Sequence, residues 1–179
     1  MPEIVPNWHP ALVHFPIALT ITATLLMLAA SRRSADPLLV PSARLLLRLA
    51  AGTAVVAAIF GWQAFQSVEH DAAGHLVMLS HRNWALSSTA GLLLATIWDA
   101  FGHAAQRHLV LVLLTLSAGI VVTAWLGGEM VYRHGIGVSA AAFAPTAGPP
   151  VPNVPQATPA AAPLLPGEHI HQDGKRHHH

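Results

Sequence analysis

The sequence predicts an all-α fold, an integral membrane four-helix bundle followed by a disordered C-terminal tail. Of the 179 residues, 53% are hydrophobic and only 9% are charged, whereas a soluble domain carries about 25% charged residues. Four apolar stretches each have about 20 residues, which suffices to cross a hydrocarbon core about 30 Å thick. The last part of the chain is instead rich in Ala and Pro. The predicted spans are 10–30, 45–65, 84–102 and 109–132, within a membrane domain 1–138 that precedes a tail 139–179.

Composition also excludes several classes of function. The net charge of +1 argues against a nucleic-acid partner, which would require a basic face. The absence of cysteine removes thiol catalysis, disulfides, thiolate metal sites and covalent c-type haem attachment. No Ser-His-Asp order, phosphate loop or HExxH motif stands out. Enzymatic activity is therefore uncertain and is the less expected outcome.

The first span opens with "HPALVHFP", which places two histidines near its start. Pro10 suits the first position of a helix, with His9 near the cap. Pro16 cannot donate a hydrogen bond to the Leu12 carbonyl, so we expect a kink beside His14. Either imidazole is then a candidate ligand, or it bonds to a backbone carbonyl that the kink frees.

The connection after the first span is rich in arginine, and this predicts the topology. Under the positive-inside rule the first and third connections are cytoplasmic. Both termini and the connection 67–82 are then periplasmic, in a bacterial inner membrane. Asp99 is expected at the cytoplasmic boundary, with Arg107 as its candidate partner. The arginines that indicate this topology are Arg32, Arg33, Arg44, Arg48 and Arg107.

The second connection leads into the third span through "EHDAAGHLVMLSHRNWAL". On a helix, Asp71 and His75 share a face, so Asp71 could orient the imidazole. Met78 and His81 extend this row of nitrogen and thioether groups. Histidine suits zinc, copper and haem iron, and methionine favours copper(I) or an axial haem position. The alternative is an amphipathic helix with its polar side chains in water.

The fourth span ends in "WLGGEMVYRHGIGV". Glu129 and Arg133 are spaced to pair on one helix face, and Met130 and His134 share the same spacing. An acid at a membrane edge is costly unless it is paired, so it marks a polar site. The alternative is a pair that only terminates the span.

Three of these stretches together resemble an uncharacterised family of bacterial four-helix membrane proteins, a domain of unknown function. The matching motifs are HPxxVHFPIAL, "HDAAGHLVMLSHRNWAL" and "GGEMVYRHGIGV", which span residues 9–138. The resemblance implies four membrane spans. It also implies redox partners, because some members of that family are joined to Rieske or c-type cytochrome domains, which this chain lacks.

The tail would be an extended linker, because its composition cannot form a packed core. It ends in "HIHQDGKRHHH", which either chelates a metal weakly or is an inert end or purification tag.

Three functions remain open. The first is haem b binding for electron transfer, with His14 and His81 as axial ligands and Arg82 or Arg133 pairing with the propionates. In that hypothesis His9, His75 and His134 tune the site or substitute as ligands. The second is a periplasmic copper or zinc site. The third is a structural anchor or assembly subunit. Expected partners are the lipid bilayer and either a redox protein or a second copy of the chain. The metal site would use the outer histidines together with His75, Asp71, Met78, Met130 and Glu129.

Overall fold

A computed structural model describes residues 8–32, 37–102, 105–138, 168–170 and 176–178. The chain divides into two compact units, 1–142 and 143–179. The first unit is helical, which confirms the predicted all-α four-helix bundle. In the second unit, β1 (Glu168–Ile170) pairs antiparallel with β2 (Arg176–His178), and the other residues predicted as the tail lie outside the described ranges, as does Arg33. The helices are α1 (His9–Leu12), α2 (His14–Arg32), α3 (Leu39–Ser67), α4 (Ala72–Ala100) and α5 (Gln106–His134).

The first helix is interrupted where the proline predicts it. The α-helical hydrogen-bond pattern breaks at Val13, between α1 and α2, and Val13 keeps helical backbone angles. Pro16 lacks the N–H that would bond to the Leu12 carbonyl oxygen, so this turn has one backbone hydrogen bond fewer. The short helix α1 contacts both α2 and α3.

The four long helices form a closed bundle. Each packs against the next along the chain, and α2 also packs against α5. The face of α3 that is buried consists mostly of alanine, which allows close helix approach, as is usual between membrane helices. Thr24 of α2 adds a hydrogen bond of 2.8 Å to Ser117 of α5. The side chains that fill the core include Met27, Leu47, Leu92, Leu109 and Leu113.

Three helices are long and apolar enough to cross a membrane: His9–Arg32, Leu39–Ser67 and Gln106–His134. Most of the predicted third span, 84–102, lies in α4, which ends at Ala100. This helix is 29 residues long, as α3 and α5 are, but it is not one of the three. The reason is its composition, since its first turns carry histidine and arginine and its last turn carries Asp99. This helix is accommodated between α3 and α5, which surround it on two sides.

Most of the described histidines lie at one end of the bundle and most of the described arginines at the other. We call the end formed by α1, the last turns of α3 and α5 and the first turns of α4 the histidine end. The opposite end, with Arg32, Arg44 and Arg48, is the arginine end.

The predicted pairing of Asp99 with Arg107 is wrong. Asp99 is buried and lies 3.0 Å from Arg44 Nε and 3.6 Å from Arg48 Nη2, both on α3. A carboxylate on the inward face of α4 reaches the neighbouring helix rather than the exposed start of α5. The ion pairs therefore hold α3 and α4 together at the arginine end.

Candidate functional site

His9 lies partly buried against α3. Its Nδ1–H donates a hydrogen bond of 2.9 Å to the carbonyl oxygen of Ala57. The imidazole lies over Gly61, one turn further along α3: a Cβ there would stand 2.8 Å from Cε1 and 2.9 Å from Nδ1 of the ring. The ring therefore occupies space that any other residue at position 61 would take.

His81 repeats this arrangement against α5. Its Nδ1–H donates a hydrogen bond of 2.9 Å to the carbonyl oxygen of Thr123. A Cβ on Gly127, one turn after Thr123, would lie 3.5 Å from Cε1 of the ring. Each histidine thus reaches the adjacent helix, donates to a backbone carbonyl, and lies on the glycine that follows.

The two imidazoles meet between the helices. Their ring centroids are 6.1 Å apart and their planes are inclined by 83°. Because Nδ1 carries the proton in both hydrogen bonds, Nε2 carries the lone pair of each neutral ring. Backbone carbonyls that hold Nδ1–H are the usual support of a histidine whose Nε2 binds a metal.

A cavity of about 910 Å³ adjoins the pair. Its walls are mostly apolar and come from all five helices, with alanine and glycine of α3 and α5 leaving the space between them. Its volume is near the upper end of the range of ligand pockets, about 300–1,000 Å³. The polar and thioether groups at its surface include His9, His14, His81, Arg82, Met78 and Met130.

His14 lines the same cavity but is placed differently from the predicted axial ligand. Its side chain is exposed, and its Nδ1 lies 3.4 Å from the carbonyl of Ala11 within its own chain segment. The structure therefore brings His9, and not His14, into ring contact with His81. Arg82 also lines the cavity, with its guanidinium 5.0 Å from the Phe65 ring centroid.

Asp71 does not orient His75 as predicted. Its Oδ1 accepts the Gly74 N–H at 2.7 Å, so Asp71 is the N-cap of α4. His75 instead pairs with His70, Nδ1 to Nε2 at 2.8 Å, with the two rings stacked. An aspartate just before a helix satisfies the unpaired N–H groups of the first turn, and this function competes with reaching the side chain one turn on.

The predicted metal donors are dispersed. Among the described residues no group of three or more His, Asp or Glu side chains could hold a metal ion. Met78 is buried and Met130 is partly buried, and both reach the cavity wall. His75 and Asp71 are not among the lining residues of the part of the chain that the structure describes.

At the end of α5, Glu129 and Arg133 pair at 3.2 Å, as their spacing predicts. Arg133 is largely exposed. His134 lies beside the first turn of α4, its Cβ 3.7 Å from where a Cβ of Gly74 would stand. Within the described ranges, none of these three residues lines the cavity.

Gly61 and the two carbonyl acceptors, Ala57 and Thr123, were not predicted as functional residues, although the sequence contains a pattern that marks them. Residues 55–61 read VVAAIFG and residues 121–127 read VVTAWLG. The two segments contain Ala57 and Thr123 at one matching position and the two glycines at another. An internal comparison of the apolar segments would have marked both glycines together.

A family model described as "Predicted membrane protein (DUF2231)" matches residues 6–140. No curated protein and no solved structure has significant similarity to the chain.

Proposed function

We propose that this chain, which belongs to the DUF2231 family of predicted membrane proteins, binds haem b between His9 and His81. The observation that carries this proposal is the matched pair of imidazoles beside a large apolar cavity. The membrane location itself rests on the family and on the apolar helices.

The spacing of the two rings fits two axial ligands. Imidazole nitrogens bind a metal at about 2.0–2.1 Å, so nitrogens on opposite sides of one ion are about 4 Å apart. Each ring centroid lies about 1 Å behind its nitrogen, which gives about 6 Å between centroids. The ring centroids of His9 and His81 are 6.1 Å apart, which matches this separation.

The cavity supplies the second requirement, which is space for a flat macrocycle. At 910 Å³ it is far larger than a bare ion needs. Its apolar walls would surround the ring system, and Arg82 at the wall is placed to pair with a propionate. Arg133 is less suited, because it is exposed and already paired with Glu129.

Haem b would supply one-electron transfer, and the chain would supply ligation, orientation and exclusion of water. The Ala57 and Thr123 carbonyls would fix the tautomer and orientation of the two imidazoles. The site lies at the histidine end rather than at mid-depth, so electrons would be exchanged with a redox partner at that face. Arginines at the other end support a periplasmic histidine end in a bacterial inner membrane.

The second candidate is a copper(I) ion held by the same two histidines. It is favoured by Met78 and Met130, whose thioethers reach the cavity wall and suit a soft ion. The described residues provide no third His, Asp or Glu ligand, and a single ion leaves the cavity volume unexplained. Zinc is less suited, because it takes four ligands that include no thioether.

The test is an absorption spectrum of protein purified in detergent from haem-supplemented cells, oxidised and then reduced with dithionite, with metal analysis of the same sample. We expect a Soret band and sharp reduced α and β bands, both lost in His9→Ala and His81→Ala. His14→Ala is the matched control, because His14 lines the same cavity with an exposed ring, and it should retain the spectrum.

Three results would overturn the proposal. A colourless protein with stoichiometric copper would establish the second candidate. A spectrum lost in His14→Ala but kept in His9→Ala would establish the pair predicted from the sequence. A protein with neither haem nor metal, in which His9→Ala and His81→Ala change only stability, would indicate a structural anchor.

A further inference from the structure

The bundle consists of two copies of one helical hairpin, α2–α3 and α4–α5. Both copies start at the histidine end, run to the arginine end and return. Each first helix contacts both second helices, as a two-fold axis along the bundle requires. Parallel repeats of this kind are a known way to build membrane proteins.

Burial follows the same spacing in the two copies. Several pairs of corresponding residues in the first helices are buried in both copies. The buried residues of α2 include Pro16, Thr20, Ala23 and Met27, and at the same spacing α4 buries Ser88, Leu92, Ala95 and Asp99. The second helices match likewise, with Ala43, Leu47 and Ala54 in α3 and Leu109, Leu113 and Ile120 in α5.

The histidine pair obeys the same correspondence. His9 precedes Pro16 by the same number of residues as His81 precedes Ser88. Ala57 and Gly61 correspond to Thr123 and Gly127 in the segments VVAAIFG and VVTAWLG. The imidazole, the carbonyl acceptor and the glycine are thus one unit that occurs twice.

We propose that Gly61 and Gly127 are equivalent positioning residues, each of which lets one imidazole rest on its helix so that the pair faces the cavity from two matching sides. The identity of the ligand that the two imidazoles bind rests on the proposed function. The positioning of the imidazoles by the two glycines does not depend on it.

The two glycines differ in how much space the neighbouring imidazole leaves for a side chain. An added Cβ at position 61 would stand 2.8 Å from the His9 ring, and such a contact forces the ring or the backbone to move. At position 127 the nearest ring atom of His81 would be 3.5 Å away, which is ordinary van der Waals contact. Alanine should therefore displace His9 clearly and His81 only slightly.

Equivalent positioning also makes the two imidazoles alike. Both rings donate Nδ1–H to a backbone carbonyl, so His9 and His81 would hold a haem b in the same way, and the chain would supply two neutral imidazoles to it.

The experiment uses the full chain in detergent with ¹⁵N-labelled histidine, first without haem. Gly61→Ala should shift the Nδ1 resonance of His9 away from the hydrogen-bonded Nδ1–H form, and Gly127→Ala should shift His81 less. Matched controls lie on the same two helices: a Cβ on Gly52 meets nothing within 4 Å, and one on Gly128 meets only the edge of Tyr132, at 3.9 Å. Gly52→Ala and Gly128→Ala should leave both resonances in place.

Haem titration of Gly61→Ala and Gly127→Ala is the second readout, with Gly52→Ala as its control, because Gly128 lines the cavity. Loss of ligand support typically costs about 10–100-fold in affinity, and we expect Gly61→Ala to weaken haem binding by about tenfold. The inference is overturned if Gly61→Ala behaves as Gly52→Ala does in both readouts. If the histidine resonances shift as expected but wild-type protein binds no haem, the positioning holds and the proposed function fails.

Discussion

The histidine end and the arginine end are built from the same two hairpins, yet one is open and the other is packed. At the arginine end, Met27, Leu47, Leu109 and Leu113 are fully buried. At the histidine end, glycine and alanine face a cavity of 910 Å³. The packed end closes the bundle, and the open end has room for a ligand.

The two hairpins are also more alike at the histidine end than at the arginine end. Met27 and Asp99 correspond at the arginine end, where Met27 is apolar and Asp99 is charged and forms an ion pair with Arg44. His9 and His81 correspond at the histidine end and have the same bonds. A core can be filled by different side chains in its two halves, whereas two equal ligands require equal supports. This contrast is the reason why we propose a site at the histidine end.

The largest effect on stability should come from the arginine end. Replacing both Arg44 and Arg48 with alanine leaves the Asp99 carboxylate, which is 2% exposed, buried without its cations. Breaking a buried pair costs about 3–5 kcal/mol, and because both arginines are partly exposed we expect about 2–3 kcal/mol. Thermal unfolding in detergent measures the change.

Arg107→Ala is the control for that experiment, because Arg107 is the partner that the sequence predicted and it is exposed at the start of α5. It should leave the unfolding temperature unchanged. Equal losses in the double variant and in Arg107→Ala would mean that Asp99 does not depend on α3.

A smaller effect is expected at the start of α4. Asp71→Ala removes the bond to the Gly74 N–H, and loss of an N-cap costs typically about 1 kcal/mol. Asp71→Asn should cost much less, since asparagine caps equally well. The free energy of unfolding of the three proteins measures this.

The same pair of variants separates capping from the predicted contact with His75. If Asp71 oriented the imidazole through its charge, Asn would disturb the ¹⁵N resonances of His75 as much as Ala does. We expect Asn to leave them unchanged, because His75 is bonded to His70.

The smallest effect should be at the end of α5. Arg133 is 74% exposed in its pair with Glu129, and exposed pairs of this spacing contribute about 0.3–0.5 kcal/mol. Arg133→Ala should therefore change stability by at most that amount and leave any haem spectrum intact. A loss of the spectrum would instead identify Arg133, rather than Arg82, as the residue that holds a propionate.

The sequence by itself determined the fold class, the membrane environment and the break near Pro16. These follow from properties that act locally, since apolar composition sets burial in lipid and a proline removes its own hydrogen bond wherever it lies. The Glu129–Arg133 pair was predictable for the same reason, because both residues are on one helix.

Only the tertiary structure decided which groups meet between helices. Asp99 pairs with Arg44 rather than with Arg107. The ring of His81 contacts His9 rather than exposed His14. The direction in which each side chain points depends on how its helix is rotated against its neighbours, and that rotation is set by the close packing of small residues along the whole interface. Spacing within one helix carries no information about this rotation, so the pair of histidines and the glycines beneath them emerge only once the hairpins are packed together.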